Sequence, residues 1–197
     1  MHSLVLVSTF HQQVLFAAIA VWIIPEWIGS FRQRPEKGAR LQDRGSYALI
    51  GVSLGTGIIA AFFFAGRVRF ATLDWHQPIL FWIGIALMLA GTAFRWYAIR
   101  TLGRYFTREV ATREGQTVID HGPYRLVRHP SYSGVLITVF GFGLALTNWL
   151  SLLAIVACTF AGFSYRVHVE EHALCEAIGQ PYREYMKRTR RFIPYLW

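Results

Sequence analysis

The sequence predicts an all-α integral membrane protein with about five transmembrane helices. Hydrophobic residues make up 54% of the 197 residues and charged residues only 16%, a balance that is unusual for soluble domains. The hydrophobic residues form long blocks that hold one acidic residue or no charge at all. A helix needs roughly 20 such residues to cross about 30 Å of hydrocarbon. The blocks predict spans at about residues 4–29, 47–65, 78–99, 132–146 and 149–168.

The basic residues predict how these helices are oriented. Of the 20 Lys and Arg residues, 18 lie in segments 31–46, 95–131 and 165–197, and two lie in segment 66–77. With five spans these segments alternate across the membrane, and the side rich in Lys and Arg is cytoplasmic by the positive-inside rule. We therefore expect the amino terminus outside and the carboxyl terminus inside. Because this topology explains the net charge of +9, we predict no nucleic-acid partner.

The first and the last two hydrophobic blocks carry further expectations. A secretory signal peptide begins with basic residues, and residues 1–13 contain no Lys or Arg, so we expect the first block to remain as a membrane helix. The last two blocks predict a tight helical hairpin that turns at Thr147, Asn148 and Trp149. Its first helix is barely long enough to cross the bilayer.

The chain changes character near residue 99. Residues 1–99 predict a transmembrane scaffold of three helices, and residues 100–197 a polar loop, the hairpin and a polar helix over about 165–178. Gly179 and Pro181 predict a stop and a restart after that helix. The polar loop concentrates side chains that are capable of chemistry. They are Arg104, Tyr105, Arg108, Glu109, His121, Tyr124, Arg128, His129 and Tyr132.

Glycines in the helices predict packing contacts. The segment GVSLGTG contains Gly51, Gly55 and Gly57. A glycine-rich nucleotide loop must follow a strand and open a helix, and the sequence has no strand and helix alternation. Small residues at such spacing are typical of contacts between membrane helices, and the same interpretation applies to Gly141 and Gly143.

Two stretches of the carboxyl-terminal half carry a family pattern. They are GQTVIDHGPYRLVRHPSYSG at residues 115–134 and YRVHVEEHALCEAIGQPYREYMKRT at residues 165–189. Over about residues 95–197 the chain resembles the isoprenylcysteine carboxyl methyltransferase family and its relatives among phospholipid methyltransferases. The matching residues are Gly122, Tyr124, Arg128, His129, Pro130, Tyr132, Arg166, Glu170, Glu171, Gly179, Tyr182 and Tyr185.

The resemblance implies a membrane methyltransferase that uses S-adenosylmethionine, releases S-adenosylhomocysteine and methylates the carboxylate of an isoprenylcysteine or similar lipophilic acceptor. It implies that Arg166 binds the acceptor carboxylate and that Glu170 contacts the cofactor, so these two are the expected catalytic residues. Eukaryotic members place a His where Gln116 stands. The cofactor contacts that the resemblance implies are Gln116, Thr117, Val118, Ile119, Tyr124, His129, Pro130, Ser131, Tyr132 and Glu170.

The residues themselves are consistent with this assignment. Arg166 and Glu170 are four apart and share one face of a helix. An interfacial ion pair worth a few tenths of a kcal/mol is the plainer interpretation of this spacing. Charged residues beside a bilayer are costly unless they serve a site or reach water, and a guanidinium holds a carboxylate in a fixed fork. The expected partners are therefore the bilayer and a lipophilic acceptor, with the site on the cytoplasmic side.

Two other functions remain open at this stage. A phospholipid or lipid-amine N-methyltransferase shares the layout and would need a base or a desolvated pocket, for which Glu171 and His129 are candidates, whereas Arg166 favours an anionic acceptor.

The other alternative is a membrane protein that binds haem or metal through histidines. His168 and His172 are four apart, a spacing that can bind metal, and His11 or His76 could ligate haem. No third metal ligand is evident in the sequence. Cys158 and Cys175 show no zinc spacing, so we predict no metal site.

Overall fold

The structure is a computed structural model that describes residues 8–32, 40–41, 43, 45–107, 110–112 and 115–194. Among these residues the helices are α1 Thr9–Arg32, α2 Ser46–Arg67, α3 Gln77–Leu102, α4 Pro130–Ala145, α5 Trp149–Ile178 and α6 Gln180–Arg188. Short 3-10 turns lie at Arg69–Ala71, Gly103–Tyr105 and Gly122–Arg125. Two short strands, β1 Arg40–Leu41 and β2 Ala111–Thr112, pair antiparallel.

The predicted all-α, multi-pass membrane architecture is confirmed. Within the described residues, four helices are long and apolar enough to cross a bilayer: Thr9–Gly29 of α1 and the whole of α2, α3 and α5. Helix α4 has 16 residues and is about 24 Å long at 1.5 Å per residue, which is shorter than the roughly 30 Å of the hydrocarbon core. That it just crosses the bilayer stays a prediction. Large apolar side chains such as Val52 and Ile59 are 64% and 73% exposed, as expected for surfaces that face lipid.

The predicted end of the fifth span differs most from the structure, whereas the other described helix ends lie within a few residues of the predicted ones. Residues 4–7 of the first predicted span lie outside the described part. The fifth span and the polar helix expected over about 165–178 form one continuous 30-residue helix, α5. The side chains change from apolar to polar at Tyr165, but the backbone stays helical through this position. The helix ends where Gly179 adopts a φ of 74°, and α6 begins directly after it, as predicted.

Helices α3 and α4 approach closely through two pairs of glycines. A Cβ on Gly91 would lie 2.6 Å from the carbonyl oxygen of Gly134, and a Cβ on Gly84 would lie 2.6 Å from that of Gly141. Larger residues would force the two backbones apart. The predicted packing role of Gly141 is confirmed, and so is that of Gly143, where a Cβ would meet Leu152 at 2.6 Å.

The glycines of α2 behave differently from the prediction. A Cβ on Gly57 would meet Ile155 of α5 at 2.8 Å, which confirms its packing role. At Gly51 and Gly55, however, an added Cβ would have no described neighbour within 4 Å, so their predicted packing role is wrong. Residues two apart on a helix do not face the same partner, and α5 therefore contacts only one side of this glycine run.

The hairpin turn between α4 and α5 is covered by protein. Asn148 Nδ2 donates to the carbonyl oxygens of Phe64 at 3.3 Å and Val68 at 3.0 Å, and its Oδ1 accepts from the Ser151 backbone N–H at 3.1 Å. The backbone N–H of Leu73 donates to the Thr147 carbonyl at 2.8 Å. Backbone that turns at membrane depth needs such internal partners, and the predicted turn position is confirmed.

The carboxyl-terminal segment after α6 returns to the start of α4. The backbone N–H groups of Arg128 and His129 donate to the carbonyls of Arg190 and Arg191 at 2.7 and 3.1 Å. Ser133 Oγ donates to the Phe192 carbonyl at 2.6 Å. These bonds hold the loop that precedes α4 in one position beneath the bundle.

Candidate functional site

An open cleft lies between the polar loop, the start of α4, the polar half of α5 and α6. Pro130 starts α4 beside this cleft without being one of its lining residues. Of the predicted cofactor contacts, the structure brings the following to its wall: Gln116, Thr117, Val118, Ile119, Tyr124, His129, Ser131, Tyr132 and Glu170.

Two tyrosines of the family pattern line this cleft and donate hydrogen bonds to backbone carbonyls. Tyr185 on α6 donates through its hydroxyl to the Tyr124 carbonyl at 2.6 Å, and the Tyr124 hydroxyl donates to the Ala98 carbonyl at 3.4 Å. Burial raises the pKa of both Tyr124 and Tyr185 above the ordinary tyrosine value. Both phenols therefore remain protonated and serve as hydrogen-bond donors.

Tyr132 joins the two predicted catalytic residues. Its hydroxyl donates to Glu170 Oε2 at 2.8 Å and accepts from Arg166 Nε at 3.2 Å. Arg166 Nε is also 4.0 Å from Glu170 Oε2, as the spacing of four residues predicts. The Tyr132 ring stacks between His129 and Phe163, with ring centroids 5.6 and 4.7 Å away. The aromatic stack fixes the direction of the phenol.

Arg166 is more enclosed than the sequence indicated. Its side chain is 2% exposed, donates to the Asp43 carboxylate and to Ser46 Oγ at 2.8 Å, and is not among the described residues that line the cleft. Direct contact between Arg166 and an acceptor carboxylate stays a prediction. Arg166 thus contacts Tyr132 and Glu170 without itself lining the cleft.

Asp43, the partner of Arg166, was missed by the sequence analysis. It accepts from Ser46 Oγ at 3.0 Å and from the Tyr47 backbone N–H at 3.1 Å, which closes the first turn of α2. Burial by itself raises the pKa of Asp43, but the bonds from Tyr47 and Ser46 and the charge of Arg166 outweigh it, so that the pKa is lower than usual. An acidic residue just before a helix start was the available signal, because carboxylates are favoured at helix amino termini.

Glu171 forms ion pairs with Arg128 and Arg191. We call this group of three side chains the clasp. Its Oε1 accepts from Arg128 Nε at 2.7 Å, and its Oε2 accepts from Arg191 Nη2 at 2.9 Å. His129 Nε2 lies 3.4 Å from Oε1. The Glu171 side chain is 6% exposed, and its oxygens are engaged by cations. The clasp ties the carboxyl-terminal segment to the cleft, and Glu171 would have to break it to act as a base.

A second, largely apolar cavity of about 1,000 Å³ lies between α1, α2, α3, α4 and α5. Phe106, Thr107 and Tyr132 line both this cavity and the cleft, so the two cavities are neighbours. A buried ion pair between Glu26 and Arg95 forms part of its wall. The other lining residues include Trp22, Tyr47, Ile50, Leu54, Val135 and Phe163.

The other histidines that the structure describes lie away from the cleft or on the surface. His168 and His172 are exposed, and His172 Nε2 contacts Glu176 at 3.1 Å. His11 hydrogen-bonds Ser8 Oγ at 2.7 Å. In the part of the chain that the structure describes, no group of three His, Cys, Asp or Glu side chains is arranged to hold a metal ion. Of the loop residues predicted to carry chemistry, Tyr105 lines the cleft, whereas Arg108 and Glu109 and the side chain of Arg104 lie outside the described part.

Comparison with known proteins gives one consistent result. The model of the isoprenylcysteine carboxyl methyltransferase (ICMT) family matches residues 82–176. A probable protein-S-isoprenylcysteine O-methyltransferase of Oryza sativa is 34% identical over 117 residues, which is 58% of this chain and 61% of the relative. Protein-S-isoprenylcysteine O-methyltransferase B of Arabidopsis thaliana is 35% identical over 115 residues, 57% of this chain and 58% of the relative. The chain thus matches about three fifths of the length of these relatives.

A solved structure matches the fold. It is that of the eukaryotic intramembrane Ras methyltransferase ICMT, with a TM-score of 0.52 and 27% identity over 78% of this chain and 53% of the other. The match extends beyond the residues of the family model and therefore includes part of the membrane helices. The helical arrangement described above is shared with that protein.

Proposed function

We propose that this chain, whose residues 82–176 match the model of the isoprenylcysteine carboxyl methyltransferase family, is a member of that family and transfers the methyl group of S-adenosylmethionine to the carboxylate of an isoprenylcysteine or a similar lipophilic acceptor. The observation that carries the proposal is that Phe106, Thr107 and Tyr132 line both cavities. The cleft carries polar groups suited to a water-soluble cofactor. The second cavity is bounded by membrane helices and suits a lipid tail.

The proposed methyl transfer requires no proton transfer to or from the protein. Bound S-adenosylmethionine would supply an electrophilic methyl group on a sulfonium sulfur. A carboxylate acceptor is ionised near neutral pH and needs no general base. Transfer would join one carboxylate oxygen to that methyl carbon and would leave the electron pair of the broken carbon–sulfur bond on sulfur. The task of the protein is to align the reactants and exclude water, which can supply several kcal/mol of the barrier.

Each member of the Tyr132 network has a role in that alignment. Glu170 lines the cleft and would accept hydrogen bonds from the amino group of the methionine part of the cofactor. Tyr132 fixes Glu170 through a bond of 2.8 Å. Arg166 holds the Tyr132 hydroxyl at 3.2 Å, and we propose that it also binds the acceptor carboxylate, as the family pattern implies.

A lipid-amine acceptor is the weaker candidate. A protonated amine must lose its proton before it can attack, and Glu171, the predicted base, is engaged by Arg128 and Arg191. This observation favours a carboxylate.

We propose that the amino terminus lies outside and that the carboxyl terminus and the site lie in the cytoplasm. The segments that build the cleft belong to the parts of the chain richest in Lys and Arg, which favours the cytoplasmic side. The acceptor would then enter from the bilayer and the cofactor from the cytoplasm. A reporter fused after Trp197 should be active in the cytoplasm, and a reporter inserted at Asp74 should be active outside. Activity of both reporters on the same side would contradict this orientation.

Calorimetric binding of S-adenosylhomocysteine to the detergent-purified protein tests the cofactor site. The wild type should bind, Glu170→Ala should bind at least about tenfold more weakly, as the loss of about 1.4 kcal/mol implies, and Glu176→Ala should bind like the wild type. Glu176 lies on the same helix, but its side chain is 54% exposed and contacts His172. Absence of binding to folded wild type would refute the proposal.

Methyl transfer tests the acceptor. Protein that binds S-adenosylhomocysteine should methylate N-acetyl-S-farnesylcysteine, which presents a carboxylate and a prenyl tail, and should leave a farnesylated amine of similar size unmodified. Arg166→Ala should mainly reduce acceptor use. Methylation of the amine instead of the carboxylate would favour the lipid-amine alternative.

A further inference from the structure

Two exposed arginines lie where the carboxyl-terminal segment meets the loop before α4. The backbone N–H of Arg190 donates to the Leu126 carbonyl at 3.2 Å, and the Arg190 carbonyl accepts from the Arg128 backbone N–H at 2.7 Å. These bonds place Arg190 beside Leu126 and its neighbour Arg125. The side chains of Arg125 and Arg190 are exposed, and among the described residues no carboxylate forms an ion pair with either guanidinium.

Exposed apolar side chains accompany these two arginines. Leu126 is 47% exposed and Ile193 is 53% exposed. Phe192, directly before Ile193, is buried, and the centroid of its ring lies 6.0 Å from that of Phe160 in the apolar part of α5. The Phe192 carbonyl also accepts from Ser133 Oγ in the first turn of α4 at 2.6 Å. Ile193 therefore lies at the level where α4 begins.

These four side chains, Arg125, Leu126, Arg190 and Ile193, form a surface that we call the basic edge. It lies at the border of the membrane-spanning part of the protein. Helix α4 starts shortly after Leu126 and has 16 residues, so it is about 24 Å long, shorter than the roughly 30 Å of the hydrocarbon core. Residues beside the start of so short a helix lie close to the lipid headgroups. At this depth an apolar side chain reaches the hydrocarbon while a neighbouring guanidinium stays among the phosphates.

The charges around the basic edge favour an anionic partner. Residues 181–197 contain five Lys or Arg residues and one acidic residue, Glu184. Glu184 is engaged by Lys187 at 2.8 Å, and Asp120 in the preceding loop is engaged by Arg188 at 2.8 Å. The surface therefore keeps an excess of positive charge after these acids are paired. Anionic lipids at a bilayer surface attract such basic segments, and they also explain the exposed apolar side chains, which an acidic protein segment would not.

We propose that the basic edge binds the headgroup of an anionic phospholipid in the leaflet that surrounds the start of α4. The guanidinium groups of Arg125 and Arg190 donate to the lipid phosphate, while Leu126 and Ile193 contact the adjoining acyl chains. The backbone bonds to the loop before α4 and the clasp hold the carboxyl-terminal segment in place before a lipid binds. The proposal requires the membrane architecture and does not depend on the methyl transfer.

Native mass spectrometry of protein released from nanodiscs tests this proposal. In nanodiscs of equal parts phosphatidylglycerol and phosphatidylcholine, the wild type should retain phosphatidylglycerol in preference. One Lys or Arg near the bilayer surface changes affinity for anionic lipid about fivefold, so Arg125→Gln with Arg190→Gln should lower the preference at least about tenfold. Arg125→Lys with Arg190→Lys should keep most of it. Glu184→Gln with Lys187→Gln removes an exposed pair without changing the net charge and should behave like the wild type.

The outcomes separate lipid binding from other causes. The substituted side chains are exposed, so melting temperatures should stay unchanged, and if the double Gln variant unfolds, Arg125→Gln and Arg190→Gln alone should each lower the preference about fivefold. Equal retention of phosphatidylglycerol by the wild type and the Gln variants would overturn the proposal. Displacement of the lipid by inorganic phosphate would also overturn it, because the site would then serve soluble anions. A wild type without any preference for phosphatidylglycerol would overturn it as well and would favour an acidic protein segment as the partner.

Discussion

Tyr132 donates a hydrogen bond of 2.8 Å to Glu170 and thereby links the first turn of α4 to the polar half of α5. The same phenol oxygen accepts from Arg166, one helical turn earlier on α5. Tyr132 and Arg166 thus hold the Glu170 side chain in one orientation at the wall of the cleft. Fixed geometry of this kind reduces the entropy that is lost when a ligand binds.

Tyr132→Phe should weaken binding of S-adenosylhomocysteine by about five- to tenfold. The variant keeps the ring that stacks on His129 and Phe163 and removes the hydroxyl, whose hydrogen bond is worth about 1 to 1.4 kcal/mol. Calorimetry on the detergent-purified variant measures the loss. Tyr165→Phe is the matched control, since Tyr165 is exposed on α5 and its variant should bind normally. Unchanged affinity in Tyr132→Phe would show that the hydroxyl does not orient Glu170.

Glu171→Gln should destabilise the fold and release the carboxyl-terminal segment. The carboxylate of the clasp accepts from Arg128 and Arg191, and removal of one partner from a buried pair typically costs about 3 to 5 kcal/mol. We expect a lower melting temperature and faster tryptic cleavage after Arg190 and Arg191. Glu184→Gln, which disrupts an exposed pair with Lys187, should leave both unchanged. Equal protease resistance in the two variants would contradict a role for the clasp.

Local features of the fold and site could be predicted from the sequence. Hydrophobic blocks mark the membrane helices because the bilayer requires long apolar segments. The facing of Arg166 and Glu170 follows from helix periodicity alone, and Asn148 begins α5 as a cap. In each case the relevant groups are within a few residues of each other. Backbone geometry therefore decides their arrangement before any tertiary contact forms.

Pairs that depend on tertiary packing could not be predicted from one sequence. Asp43 and Arg166 are 123 residues apart, and Glu26 and Arg95 are 69 apart. Each residue looked like an ordinary interfacial charge until the packing of the helices brought its partner near. Gly51 and Gly55 show the same limit, because glycine spacing indicates close contact without specifying which side of the helix has a neighbour.

Gly134→Ala should destabilise the protein by about 1 to 3 kcal/mol, the usual cost of overpacking. The added methyl group would lie 2.8 Å from the Gly91 carbonyl oxygen and 2.7 Å from the Arg95 Cβ, so α3 and α4 would have to separate. Thermal unfolding in detergent measures the effect. Gly55→Ala is the control, because its methyl group would have no described neighbour within 4 Å. Equal melting temperatures for the two variants would contradict the close approach of α3 and α4.

Acidification should weaken the fold through Asp43. The pKa of Asp43 is lower in the folded protein than in the unfolded chain, because hydrogen bonds from Tyr47 and Ser46 and the charge of Arg166 outweigh burial. A carboxyl group with a lowered pKa binds more protons in the unfolded state, so its contribution is present above the unfolded pKa of about 3.9 and is lost as the pH falls through the folded value. Melting temperatures measured between pH 6 and 3 should therefore fall more steeply for the wild type than for Asp43→Asn, which has no proton to gain at this position. Asp74→Asn, in the loop between α2 and α3, should follow the wild-type profile. If Asp43→Asn showed the same pH dependence as the wild type, the charge on Asp43 would not contribute to holding Arg166.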